Sequence, residues 1–437
     1  MHQRPEIQMG FIRLFSRYLR FSEIDGKPLL FRKSMATYPA KNQMAQTPYI
    51  SSVDAEPLHR YKPSGYHPTL LGDVIHSGRY KILHKLGWGG YSTVWAARDT
   101  RRAKYVAVKI CIAEQNRESP IRELHTMEEL ASRAVLLKHV VQMLDKFVLE
   151  GPNGSHQCLV YELLGPSVPD ICDAKFSGGR LPGRLAKSIA KQSLAALDEL
   201  HQLSICHGDL HTRNLAFTMP CMDGLSEEKF MQALGKPEIG PVQWRNGEKL
   251  SLQPEVPSYI VRPAAPQTQL WDPDQPIKLI DFGESFSRDT VPRTLHTPLS
   301  LRAPEVIFRD RFDYRVDLWS MGCLLFELFT GQPPFDSFMI TPPILIEQMR
   351  ELASDDFPRR WQEMADTVYK KEEAETESPG PNLHEWLQEV YFERSITPDL
   401  DKADIERLGQ IIARLLRFEP STRASAREVL EDQWLNE

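Results

Sequence analysis

Short apolar runs rich in β-branched and aromatic residues dominate the chain from Tyr80 to about Val160. Tyr80–Leu86, Thr93–Asp99 and Tyr105–Ile112 read as consecutive antiparallel strands, with Met143–Leu149 and Gln157–Tyr161 as two more. Gly151-Pro152-Asn153-Gly154 supplies the turn residues between the last pair. Ser119–Leu137 has the spacing of a helix instead. From Leu185 onward the helical period takes over, in Ala186–Leu203, in the apolar run Leu318–Phe329 and in Ile405–Leu416. Residues 219–276 interrupt this pattern with nine prolines, which exclude a long helix. Leu225–Leu234 predicts a short helix there, and the rest an ordered but irregular surface loop. Residues 48–79, rich in Pro, Gly and His, predict an extended approach to the first strand. The pattern is α+β and bilobal. A small antiparallel β lobe with one main helix occupies about residues 61–162, and a large mainly α lobe about 165–437.

Composition narrows the class. Apolar residues at 41% and charged residues at 26% are those of a globular protein, and no apolar run approaches the roughly 20 residues that span a bilayer. The six cysteines are scattered without a CxxC pair, which argues against a zinc site or disulfide framework and for a reducing compartment. Charge is uneven. Residues 1–47 hold 8 Lys/Arg against 3 Asp/Glu, whereas the remainder holds 45 against 56. A basic N-terminal extension (residues 1–60), disordered or targeting, therefore precedes an acidic body. An acidic body favours basic protein partners over nucleic acid. The Arg-rich, acid-poor stretch Phe11–Phe21 resembles a mitochondrial presequence; a loosely docked arm on a cytoplasmic and nuclear monomer is the other reading.

The chemistry lies in seven short motifs, in order: Gly87-Trp88-Gly89-Gly90-Tyr91-Ser92, Lys109 in Val106-Ala107-Val108-Lys109, His207-Gly208-Asp209 with Asn214, Asp281-Phe282-Gly283, Ala303-Pro304-Glu305, Asp317 with Trp319, and Arg423. Together they resemble a eukaryotic protein kinase. The resemblance implies ATP and Mg²⁺ and assigns roles. Gly87 and Gly89 let a β-hairpin approach the phosphates without a Cβ in the way. Val94 and Ala107 sandwich the adenine, and Leu86, Glu162 and Leu164 complete the nucleotide site. Lys109 binds the α- and β-phosphates and needs a carboxylate to hold it; Glu123 is the best placed, with Glu128 and Glu129 as competitors. Asp209 accepts the substrate hydroxyl proton, while Asn214 and Asp281 offer hard oxygen ligands to Mg²⁺. His207 packs under Phe282 as a structural residue, and Glu305, Arg423, Asp317 and Gly283 support the scaffold. Small-molecule kinases also carry an HGD…N loop but lack the last three motifs.

Two positions depart from the kinase pattern. His211 replaces the lysine that steadies the γ-phosphate, and leaves open an alternative in which the protein is a weakly active or inactive pseudokinase acting as a scaffold. Gly208 replaces the arginine that would grip a phosphate on the activation loop, so loop phosphorylation is expected to be dispensable. Within the kinases the chain resembles a divergent, fungal-type SR-protein kinase, over about Glu56 to Leu435. The segments Tyr61-Lys62-Pro63-Ser64-Gly65-Tyr66-His67-Pro68, Lys85-Leu86-Gly87-Trp88-Gly89, Ser92-Thr93-Val94-Trp95 and Val160-Tyr161-Glu162-Leu163-Leu164-Gly165 carry the likeness, as does the insertion at 219–276. That family phosphorylates serines in Arg/Ser-rich proteins, which implies such substrates and a link to mRNA splicing regulation. Asp355-Asp356 and Glu372-Glu373-Glu375-Glu377 read first as a solvated acidic face, and as candidates for docking a basic substrate second. The insertion is expected to regulate or localise rather than to build the transfer site, the alternative being a segment packed on the large lobe by Trp244, Tyr259 and Trp271.

Overall fold

Alternation along the strands separates two surfaces. The computed structural model describes residues 48–437, apart from 114–117, 134–136, 177, 247, 249–252, 336–339, 369–379 and 394–396. The Phe11–Phe21 stretch and the Glu372–Glu377 cluster lie outside the described residues. After the two-residue strand β1 (Tyr49–Ile50) come β2 (Val74–Ile75), β3 (Tyr80–Gly89), β4 (Ser92–Asp99) and β5 (Lys104–Cys111). Helix α1 (Glu118–Ser132) and strands β6 (Met143–Gly151) and β7 (Gly154–Glu162) follow. β2 to β7 form one antiparallel sheet in the order β2-β3-β4-β5-β7-β6, a strand more than the five expected. Val106, Val108 and Ile110 of β5 face an outer core with Ile82, Trp95 and Val160. The intervening Ala107, with Leu159 and Tyr161 of β7, faces the core shared with the second lobe. Lys109 therefore emerges on the cleft side because strand geometry alternates. Helix α1 closes at Ser132, short of the expected Leu137, which is buried in the shared core instead.

The large lobe begins with α2 (Val168–Lys175) and α3 (Gly183–Gln202), then β8 (Ile205–Cys206) and β9 (Leu215–Phe217). The insertion contributes α4 (Glu227–Leu234), β10 (Ile239–Pro241), β11 (Gln243–Trp244) and β12 (Tyr259–Val261). The chain returns through β13 (Ile277–Leu279), which pairs antiparallel with β9, so both ends of the insertion lie on one strand pair. β14 (Phe286–Ser287) pairs with β8, and α5 (Pro304–Ile307) and α6 (Val316–Thr330) follow. α6 is buried almost throughout and forms the axis of this lobe.

The insertion departs from expectation. Its helix α4 falls where the sequence predicts a short one, but the rest is neither an irregular loop crossing the surface nor packed mainly on the large lobe. Phe230 of α4 is fully buried and stacks on Tyr105 of β5, with ring centroids 3.6 Å apart. Val242, Val256 and Ile260 share a core with Val53, Leu58, Tyr61 and Tyr66. Gly240 is needed there, because a Cβ at that position would lie 2.3 Å from Ser51 Oγ. Trp244 pairs with Tyr49, and the Tyr259 hydroxyl accepts from Leu71 N–H; of the three aromatics only Trp271 faces the large lobe, against Phe176 and Phe217. β1 pairs with β11. Glu56 is buried in an ion pair with Lys85, against which Trp95 lies. Residues 48–60, which the sequence groups with the extension, thus belong to the folded body, and they wrap the small lobe rather than approach it extended.

Candidate active site

A cleft of about 500 Å³ opens between the sheet and the large lobe. Leu86, Gly87, Gly89, Val94, Ala107, Lys109, Glu123, Glu162, Leu164 and Asp281 all line it. Lys109 Nζ donates to both Glu123 oxygens at 2.9 and 2.7 Å and to Asp281 Oδ1 at 2.9 Å. Burial alone would push the Lys109 ammonium down, but Asp281 and Glu123 override it and hold its pKa well above the usual range. Lys109 in turn holds the Asp281 carboxyl below the usual range. Half of the Asp281 side chain remains open to solvent, and its backbone takes φ +63°. Tyr161, unassigned by the sequence, donates its hydroxyl to Glu123 at 2.8 Å and so fixes which glutamate of α1 meets Lys109. The Glu162 carboxylate is committed elsewhere, to Lys278 at 2.5 Å and to the N–H of Gln142.

Below the cleft, Asp209 and Asn214 stand together. Asn214 Nδ2 donates to the Asp209 carbonyl at 2.9 Å, which leaves Oδ1 as the free face of the amide. Asp209 Oδ1 is buried and accepts no hydrogen bond among the described residues. His211 Nε2 lies 3.6 Å from Asp209 Oδ2, within ion-pair reach and beyond a hydrogen bond. His207 accepts from Asp209 N–H at Nδ1 and donates from Nε2 to the Ile280 carbonyl, a neutral tautomer held edge-on to Phe282 at 4.9 Å.

The braces are buried. Asp317 accepts the N–H groups of His207 and Gly208 at 2.8 Å each and a bond from His201 Nε2 at 3.1 Å. Burial would raise its pKa, and these donors reverse the sign and lower it. Arg423 and Glu305 form a bidentate pair at 2.6 and 2.7 Å. Gly283 N–H turns toward Asp281 Oδ1 at 3.4 Å. The Asp355 carboxylate accepts the N–H groups of Phe418 and Glu419.

Sequence reasoning missed one wall. Ala264, Ala265, Pro266 and Gln267 of the insertion line the cleft beside Leu86 and Leu164. Ala264 N–H is tied to the Lys85 carbonyl at 2.8 Å. No motif marks these residues; the Gln267 side chain is anchored by donating to the Leu234 carbonyl of α4 at 3.0 Å, and α4 packs on Leu83 and Tyr105.

Comparison with known proteins agrees with this geometry. The protein kinase domain family matches residues 80–221 and 266–435, with the gap falling on the insertion. The chain is similar to the serine/threonine-protein kinase SRPK of Physarum polycephalum, at 29% identity over 86% of this chain and 90% of that one. It is also similar to the protein kinase dsk1 of Schizosaccharomyces pombe, at 28% identity over 63% of this chain and 65% of that one. A serine/threonine protein kinase of Aspergillus fumigatus is 28% identical over 88% and 91%.

Proposed function

This chain belongs to the protein kinase family and is a serine/threonine protein kinase of SR-protein kinase type, and on that premise we propose that Asp209, Lys109, Asn214 and Asp281 carry phosphoryl transfer to Ser/Thr in Arg-rich protein segments. ATP is the phosphoryl donor, and Mg²⁺ is the metal that the family requires. Two hard oxygen donors, the half-open Asp281 carboxylate and Asn214 Oδ1, fit that cation. When bound, Mg²⁺ neutralises charge on the β- and γ-phosphates.

The chain's own residues do the rest. Lys109, fully charged between two carboxylates, is aimed into the cleft to meet the α- and β-phosphates. The Asp209 carboxylate, whose side chain is 22% exposed, orients the acceptor hydroxyl. As the acceptor oxygen forms its bond to the γ-phosphorus, the bond from that phosphorus to the β-bridging oxygen breaks and ADP leaves. The hydroxyl proton passes to Asp209. His211, near the same carboxylate, stands in the place of the family lysine.

The observation that carries this reading is the Lys109–Glu123 and Lys109–Asp281 pairing, which joins α1, the sheet and the Asp-Phe-Gly turn across one cleft. The preference for Arg-flanked acceptors is supported by the acidic body and by the resemblance to SR-protein kinases. Radiolabel transfer from ATP to an Arg-scanned Ser peptide array is the test. Wild type should label peptides with Arg beside the acceptor, and Asp209→Ala should fall by roughly 10²–10⁴ in kcat. Equal labelling by both would refute catalysis at Asp209, and flat labelling across the array would refute the Arg preference.

A further inference from the structure

Gly208 takes φ +78°, and a Cβ built on it would lie 2.4 Å from the Glu284 carbonyl oxygen. Backbone occupies the space that an arginine side chain would need, so no cation can reach out from this position. The cation stands elsewhere. Arg122, the residue before Glu123 on α1, is mostly buried, and its Nη2 lies 3.5 Å from Glu284 Oε2. Its Nε and Nη1 are buried without a hydrogen-bond partner among the described residues. The other side of Glu284 holds the activation segment: Oε2 accepts His296 N–H at 3.1 Å, and Oε1 lies 3.1 Å from His296 Nδ1. The next residue, Thr297, donates its hydroxyl to the Gly208 carbonyl at 2.7 Å, and Arg302 clasps the Thr297 carbonyl. Ser285 adds a second tie to α1, its hydroxyl meeting Thr126 Oγ1 at 2.8 Å.

We propose that Glu284 is a positioning residue that does permanently what an activation-loop phosphate does elsewhere: its carboxylate joins Arg122 of α1 to the 296–297 segment, and so holds Glu123 against Lys109. The physical reason is that a buried anion between a guanidinium and backbone N–H is the arrangement that a phosphate would otherwise create. The carboxylate sits one residue after the Asp-Phe-Gly turn, so one rigid segment carries both Asp281 and the latch. The proposal rests on the reading that transfer occurs at Asp209.

Steady-state kinetics on the full chain, with thermal unfolding in parallel, tests it. Glu284→Gln keeps the size and the acceptor for His296 N–H but removes the charge. It should lower kcat roughly tenfold, the scale of one charge-assisted hydrogen bond, with KM for ATP and the unfolding midpoint near wild type. Arg122→Met should do the same, Arg122→Lys should recover part of the loss, and the Glu284→Gln/Arg122→Met double variant should be no worse than either single. If Glu284→Gln fails to fold, Arg122→Met against Arg122→Lys carries the same comparison. Phosphatase treatment of wild type should leave its rate unchanged. Wild-type kcat in both single variants, additive losses, or a fall in unfolding midpoint with kcat of the folded fraction intact would each overturn the latch. So would a severalfold loss on phosphatase treatment. A wild type that transfers no phosphate would overturn the site reading and the latch together, whereas an active wild type with fully active variants would overturn the latch alone.

Discussion

Single residues in this protein bear charge where water is scarce. Arg423 and Glu305 are 0% and 1% exposed, and among the described residues each has only the other as its counter-charge. Arg423→Met would strand the glutamate, so stability should fall by roughly 3–5 kcal/mol in urea unfolding; a loss under 1 kcal/mol would mean the pair is not desolvated. Replacing both partners with apolar residues should be milder than the single change. His67 is a different case. Burial, helped by neighbouring His156 at 5.0 Å, pushes its pKa from 6.5 to about 4. Between those values the unfolded chain binds a proton that the folded protein refuses, so stability is full above pH 6.5 and falls as pH drops toward 4. The carboxylates of Asp281 and Asp317 are shifted down from 3.8, so their loss comes at lower pH still. Urea midpoints at pH 7 and pH 5 should therefore differ, and His67→Gln should reduce the difference. His84, His139 and His156, lowered chiefly by burial, carry the remainder. A midpoint flat across this window would contradict the assignment.

At the scale of elements the insertion changes most between expectation and structure. Its ends meet on β9 and β13, as its place in the sequence implied. Its middle covers the small lobe: Phe230 stacks on Tyr105, Asp223 accepts the N–H of Tyr105, and Glu227 pairs with Lys81. Cutting residues 219–276 to a glycine turn would expose Tyr105 and open one wall of the cleft. The shortened protein should unfold at lower urea than wild type and bind ATP more weakly, rather than keep its basal turnover. Phe230→Ala isolates the packing part and should cost roughly 3–5 kcal/mol. If both variants match wild type in unfolding midpoint, the contacts with β5 contribute nothing.

Across the whole molecule, the two lobes share one core and one charge cluster. Ala107, Leu159 and Tyr161 of the sheet lie in the same apolar cluster as the α6 residues Trp319 and Phe326. Lys109 links the sheet to α1 and to Asp281 at the top of the large lobe. A ligand that bridges these groups should stabilise the folded state by mass action, about 2.7 kcal/mol at a hundredfold excess over Kd. Thermal unfolding with Mg²⁺ and ATP together should show a higher midpoint than with either alone. Asp281→Asn should abolish the Mg²⁺-dependent part. An equal shift in that variant would mean the cation binds elsewhere.

The local readings came from the chain itself. The period-two runs of the small lobe, the helices of the large one and the spacing of Lys109, Asp209, Asn214 and Asp281 are written in adjacent residues, because strand alternation, helical period and loop length are short-range properties. Glu123 was legible as the partner of Lys109 only among competitors, and the Tyr161 hydroxyl decides it. What depended on the tertiary structure joins residues far apart in sequence. The insertion wall at 264–267, the Lys85–Glu56 pair and the Arg122–Glu284–His296 latch are each set by which surfaces meet on burial. No local pattern encodes them, since a carboxylate or a proline reads the same in solvent as in a core, and only the packing of the folded chain removes the water that would make the difference vanish.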